Sequence, residues 1–204
     1  CAVRVRYGRG GRMSMTDNLV AMVPLLSDLM TKRVAAKDWD GVFCLVGRDH
    51  AFDVLLEIAS ELTDEERGPA MRNAWEMPDH ITAVASLWRT LFRSSKWSAR
   101  QMMTAEAHSE FDAMPERMTL YRGFCSKYGT WRGMSWTDDI DLARFFARYR
   151  SAEPSIAIAT ITKRGVAAFI KARGSEREFI VPRLQQSQLI DIKLIGPEMQ
   201  ERAA

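Results

Sequence analysis

Apolar residues recur at helical spacing through the first half of the chain. Leu19, Met22, Val23, Leu26, Leu29 and Met30 form one stripe, with Pro24 expected to kink or delay the helix that carries it. Phe52, Leu55, Leu56, Ala59 and Leu62 form a second. Thr63 and Glu66 have the spacing of a capping box, and Gly68-Pro69 is expected to cut short the helix it opens. Asp79 is placed to cap a third helix burying Ile81, Val84, Leu87, Trp88, Leu91 and Phe92, and Ser98 to cap a fourth that runs to about Phe111. After Pro115 the period changes to two. Strands are predicted over 118–124, 155–162, 177–182 and 187–195, with a short extended piece at 134–137 and helices at 139–150 and 164–172. Helices first and strands later indicate an α+β protein. The boundaries expected are a basic arm over 1–15, disordered or a non-native extension, a helical lobe over 16–115, and a strand-rich core over 116–204.

Charge and composition narrow the function classes. The chain has 204 residues, enough for one domain or two small lobes, and a net charge of +3. Residues 1–12 hold Arg4, Arg6, Arg9 and Arg12 and no acid, so the remainder carries −1 and has no broad basic field. Cys1, Cys44 and Cys125 are odd in number and lack metal or redox spacing, which indicates a reducing compartment. His50, His80 and His108 are scattered, so no metal site is expected. No run approaches the roughly 18 apolar residues that span a bilayer, and no signal peptide pattern is present. A cytoplasmic protein without a membrane partner is expected, delivery into another cell remaining compatible with this.

Three short segments carry the candidate chemistry. Leu120-Tyr121-Arg122-Gly123-Phe124 reads as a strand with an arginine at its centre, Ser135-Trp136-Thr137 follows, and Glu176-Arg177-Glu178 heads the apolar run Phe179-Ile180-Val181. Each has a plain structural reading. Arg122 would serve a surface ion pair, Trp136 a core anchor, Asp138 or Asp139 a helix cap, and the acids a solvated strand edge. Phe145 and Phe146 lie among Ile140, Leu142, Ala143 and Ala147 at the spacing of a core-facing helix.

Taken in order, the three segments resemble the ADP-ribosyltransferases of the Arg–Ser–Glu class, which includes bacterial arginine-modifying toxins and phage-borne transferases. The resemblance covers roughly residues 118–196, with Trp136 and Thr137 standing where the family's usual motif is Ser-Thr-Ser. It implies a helical lobe packed on a small split-sheet core that binds NAD as substrate. It further implies that Glu178 holds the nicotinamide ribose and stabilises its developing cation, and that Glu176 positions or deprotonates the acceptor. Arg122 would bind phosphate or ribose oxygens, Ser135 and Thr137 would orient the dinucleotide, Gly123 would meet the nicotinamide amide through its backbone, and Phe146, or failing it Phe145, would stack on the ring.

The acceptor expected is a macromolecule, a protein arginine before a nucleic-acid base, with plain NAD hydrolysis as a third outcome. A toxin or phage-conflict role, with an inhibitor or antitoxin as partner, is what such a transferase suggests by analogy. The rival reading is a non-catalytic module whose helical lobe binds a partner. Geometry separates the two, because the enzyme reading stands only where Arg122, Ser135 and Glu178 converge on one cleft large enough for a dinucleotide.

Overall fold

Central to the strand-rich half is β3 (Pro154–Thr162), which has an antiparallel neighbour on each side. It pairs along its whole length with β1 (Arg117–Cys125), from Arg117 opposite Thr162 to Cys125 opposite Pro154, and with β6 (Leu189–Leu194) on its other edge. A second antiparallel sheet has the order β2–β5–β4, from β2 (Ser135–Trp136), β4 (Ala168–Lys171) and β5 (Arg177–Ile180). Among the described residues one bridge stitches the two sheets, in which Tyr121 and Thr137 exchange backbone hydrogen bonds of 2.7 and 2.9 Å. This computed structural model describes residues 13–77, 84–94, 96–127, 130–149, 153–171 and 176–194.

The chain divides into two compact units, residues 1–66 with 70–79, and residues 67–69 with 80–204. The first is helical. Its elements are α1 (Met15–Met22), α2 (Ser27–Ala35), α3 (Trp39–Val46), α4 (Ala51–Ile58) and most of α5 (Asp64–Glu76). The apolar stripes are buried only in part: Leu19, Met30, Phe52, Leu55 and Leu62 are buried, together with Phe43, Ile58, Met71 and Trp75, whereas Leu26, Leu29 and Leu56 are exposed. Pro24 breaks the first stripe into α1 and α2 through a 3₁₀ turn at Pro24–Leu26, leaving Leu25 almost fully exposed. α3 lay outside the expected elements; Asp38 caps it by accepting from the Gly41 amide at 3.0 Å.

Thr63 and Glu66 form the capping box, but α5 does not stop at Gly68-Pro69. Pro69 sits inside the helix, where its missing N–H forfeits one helical bond. Gly68 has a packing role, since a Cβ there would lie 2.0 Å from the Gln101 carbonyl oxygen.

In the second unit α6 (Ala85–Leu91) buries Trp88 and leaves Leu87 exposed, while the expected cap at Asp79 lies outside the described residues. Ser98 starts only a 3₁₀ turn at Ala99–Met102, and Thr104 caps the helix that follows, α7 (Ala105–Ala113). The expected helix at 164–172 is instead a 3₁₀ turn, Lys163–Gly165, followed by β4. Phe169 pairs opposite Phe179 of β5, with ring centroids 4.9 Å apart, and Phe111 of α7 stacks on Phe169 at 6.2 Å. Pairing with a central strand, not local propensity, decides this segment. The expected boundary at 115 does not coincide with the division of contacts, which falls near 80, so α6 and α7 group with the strands.

α8 (Ile140–Arg148) is capped by Asp139, whose carboxylate accepts from the Asp141 and Leu142 amides. It packs on β1 and β3 through Ala143 and Ala147, with Tyr121, Ile140, Ile156 and Ile158 around it. The small residues allow a close approach. A Cβ on Gly123 would lie 2.0 Å from the Ala143 carbonyl oxygen and 2.6 Å from the Ala147 amide nitrogen.

Candidate functional site

Strand alternation puts Arg122 on the face of β1 opposite Gly123. There it follows the buried Met118 and Leu120 on the same face and is itself part-buried, with Ala157 of β3 opposite it. A guanidinium on an apolar face must find partners, because an unpaired buried charge is strongly unfavourable. Two are evident. Nη1 donates to the backbone carbonyl of Ser135 at 2.7 Å, and Glu178 of β5 supplies the opposite charge. The guanidinium lies flat against Gly133, where a Cβ would come within 2.1 Å of Cζ and Nη2.

Burial pulls the Arg122 pKa down to about 10; Glu178 acts against that fall and the nearby cation of Arg89 adds to it. Arg122 therefore stays charged at neutral pH. Its Nε is sealed from solvent and makes no hydrogen bond within the protein.

Ser135 pairs directly opposite Ile180, and Ile170 directly opposite Glu178. Ser135, Glu178, Ile170 and Ile180 therefore share one face of the second sheet, while Trp136, Arg177, Phe169 and Phe179 occupy the other. Glu176 precedes β5 and is exposed. Arg122, Ser135 and Glu178, expected from the sequence to form one site, are thus brought together from three strands of two sheets.

Other expected site residues have structural occupations. The Thr137 hydroxyl accepts from the Asp139 amide at 3.1 Å and shapes the turn into α8. Trp136, expected as a core anchor, is buried, with Nε1 donating to the Gly133 carbonyl at 3.0 Å. The space left by the missing Gly123 side chain is taken by the backbone of α8. Phe146 is not brought to Arg122, because α8 covers the opposite face of β1. It and Phe145 are about half exposed, at 48% and 55%, not core-facing, and they contact each other edge to face.

Arg89 was not singled out from the sequence. From α6 it donates to the carbonyls of Pro182 and Arg132, both at 2.9 Å, and its charge acts on Arg122. Both carbonyls are backbone atoms, which leave no signature in residue type.

Among the described residues no group of three or more His, Cys, Asp or Glu side chains is arranged to hold a metal ion, and no helix is long and apolar enough to cross a membrane. Comparison with family models, curated proteins and solved structures gave no match.

Proposed function

We propose that this chain is an NAD-dependent mono-ADP-ribosyltransferase, with residues 116–204 forming the body of its NAD-binding core and Arg89 and α7 supporting it from the preceding helices. The observation that carries the reading is the convergence of Arg122, Ser135 and Glu178. The donor set fits a dinucleotide. Arg122 keeps a fixed positive charge suited to a diphosphate, and Glu178 offers a carboxylate beside it.

In this reading Arg122 holds phosphate or ribose oxygens. The Ser135 hydroxyl, on the same sheet face as Glu178, orients the carboxylate and the ribose. Glu178 accepts a ribose hydroxyl and stabilises the positive charge that develops on the sugar as nicotinamide departs. Glu176, exposed at the mouth of β5, meets the acceptor and takes its proton. A protein arginine is the favoured acceptor, a nucleic-acid base or water the alternatives, and the odd, unspaced cysteines favour action in a reducing cytoplasm.

The test is incubation with labelled NAD and a cell lysate, following label onto protein, onto nucleic acid or into free ADP-ribose. Glu178→Ala should slow both transfer and nicotinamide release by about a hundredfold or more, the loss seen when focused transition-state stabilisation is removed. Glu176→Gln should impair transfer far more than hydrolysis. Near-wild-type turnover in a folded Glu178→Ala variant would falsify the assignment.

A further inference from the structure

Between the two acids stands Arg177, whose side chain lies on the other face of β5 from Glu178. Nη1 pairs with Glu110 of α7 at 2.5 Å and Nη2 with Asp138 at 2.9 Å, and the guanidinium lies over the Phe169 ring with Cζ 5.3 Å from its centroid. Asp138 directly follows Thr137, the residue that joins β2 to β1 beside Arg122. Glu110 also pairs with Lys171 at 3.1 Å, and Lys171 stands opposite Arg177 in the β4–β5 register and contacts Glu106 at 2.6 Å. One helix therefore holds the facing ends of β4 and β5, and Arg177 ties the start of β5 to the turn after Ser135.

A lone surface ion pair would do little. This one differs in linking three segments far apart in sequence, over an aromatic face and on a half-buried side chain. Without it, the pairings at the first two residues of β5, at Lys171 and Ile170, lose their lateral support, and the position of Glu178 relative to Arg122 loses its constraint.

We propose that Arg177, clamped by Glu110 and Asp138, is a positioning residue that fixes the height and direction of Glu178 opposite Arg122. The proposal rests on the transferase reading. It makes the middle residue of the Glu-Arg-Glu segment part of the machinery without contact to the reacting atoms.

The experiment compares wild type, Arg177→Met, Arg177→Lys and Asp138→Asn for nicotinamide release at saturating NAD, NAD affinity by calorimetry, and amide exchange along β5. Arg177→Met should lower the rate constant by about tenfold or more, since a misplacement near one ångström is sufficient for such a loss. NAD affinity should change by less than about threefold, because Arg122 is untouched. Exchange at Glu178, Phe179 and Ile180 should accelerate without matching change in β1 and β3, and Arg177→Lys should recover part of the rate. Should Arg177→Met fail to fold, Glu110→Gln, which keeps side-chain volume, carries the same expectation. A folded Arg177→Met variant with wild-type turnover overturns the clamp alone, as does a loss of rate matched by loss of NAD affinity. A wild-type protein that releases no nicotinamide overturns the transferase reading, and the clamp's catalytic role with it.

Discussion

Gly133→Ala tests the placement of Arg122 without touching Arg122. The glycine is not in the left-handed region of backbone space, so alanine is tolerated conformationally and only the new methyl matters. That methyl would lie 2.1 Å from Cζ and Nη2 of Arg122 and 2.5 Å from Nε. Carbon contacts settle near 3.5–4.0 Å, so the guanidinium must retreat by more than about 1 Å. Its 2.7 Å bond to the Ser135 carbonyl cannot survive such a shift, since hydrogen bonds end near 3.5 Å.

Losing a hydrogen bond from a charged donor is worth about 1.5–3 kcal/mol. For a chain of this length the melting temperature should fall by roughly 3–12 °C. The decisive assay is a double-mutant cycle by urea denaturation. In an Arg122→Ala background the methyl meets no guanidinium, so Gly133→Ala should add less than about 0.5 kcal/mol there. Additive losses would refute the described contact between Gly133 and Arg122. A coupled loss of stability with unchanged KM for NAD would leave the contact intact and remove Arg122 from the dinucleotide site.

Other consequences follow from the same geometry. Phe146→Ala should leave the KM for NAD unchanged within about twofold, because α8 lies across β1 from Arg122; a large rise in KM would show that the ring reaches the site. Acid should destabilise the fold through its depressed carboxyls. Hydrogen bonding to Lys171 holds the Glu106 carboxyl below the usual glutamate range, and the amide and hydroxyl of Thr63 do the same for Glu66. Such groups bind protons in the unfolded chain before they do in the folded one. Their stabilisation is therefore present above the ordinary glutamate pKa and is lost as pH falls through their lower folded values. Urea midpoints measured from pH 7 to pH 3 should decline over that interval, and less steeply in Glu106→Gln; an unchanged slope would show that the Lys171 contact contributes nothing in solution.

How much could be read beforehand depended on whether the deciding interaction was local. The Thr63–Glu66 box and the alternating strands β1 and β3 were legible because a helix start and a two-residue period are written in adjacent residues. α3 was legible in principle, since Asp38 precedes Trp39, Val42, Phe43 and Val46 at helical spacing. β4 was not. Val166-Ala167-Ala168-Phe169-Ile170 is too short for its period to separate helix from strand, and the Phe169–Phe179 pairing is what chooses. The misplacement of Phe146 had a readable cause. Arg122 and Gly123 are neighbours in a strand, so a helix lying on the glycine cannot also face the arginine.

Arg122 itself is where local and tertiary logic disagree. Met118, Leu120 and Arg122 occupy one face of β1, and the first two obey the rule that this face is apolar. An aliphatic residue at 122 would continue the row without a desolvated charge. The arginine instead needs a backbone carbonyl from β2, a carboxylate from β5 and the bare backbone of Gly133 to be accommodated. Arg89, a second cation, stands close enough to depress it further. Stability alone does not favour that arrangement, because a buried ion pair is often no better than well-packed apolar residues. A position that breaks the pattern of its own strand, and is accommodated by three distant segments, is where a functional demand is most economically inferred. In the proposed transferase reading, an anion held by Arg122 would offset the mutual repulsion of Arg89 and Arg122.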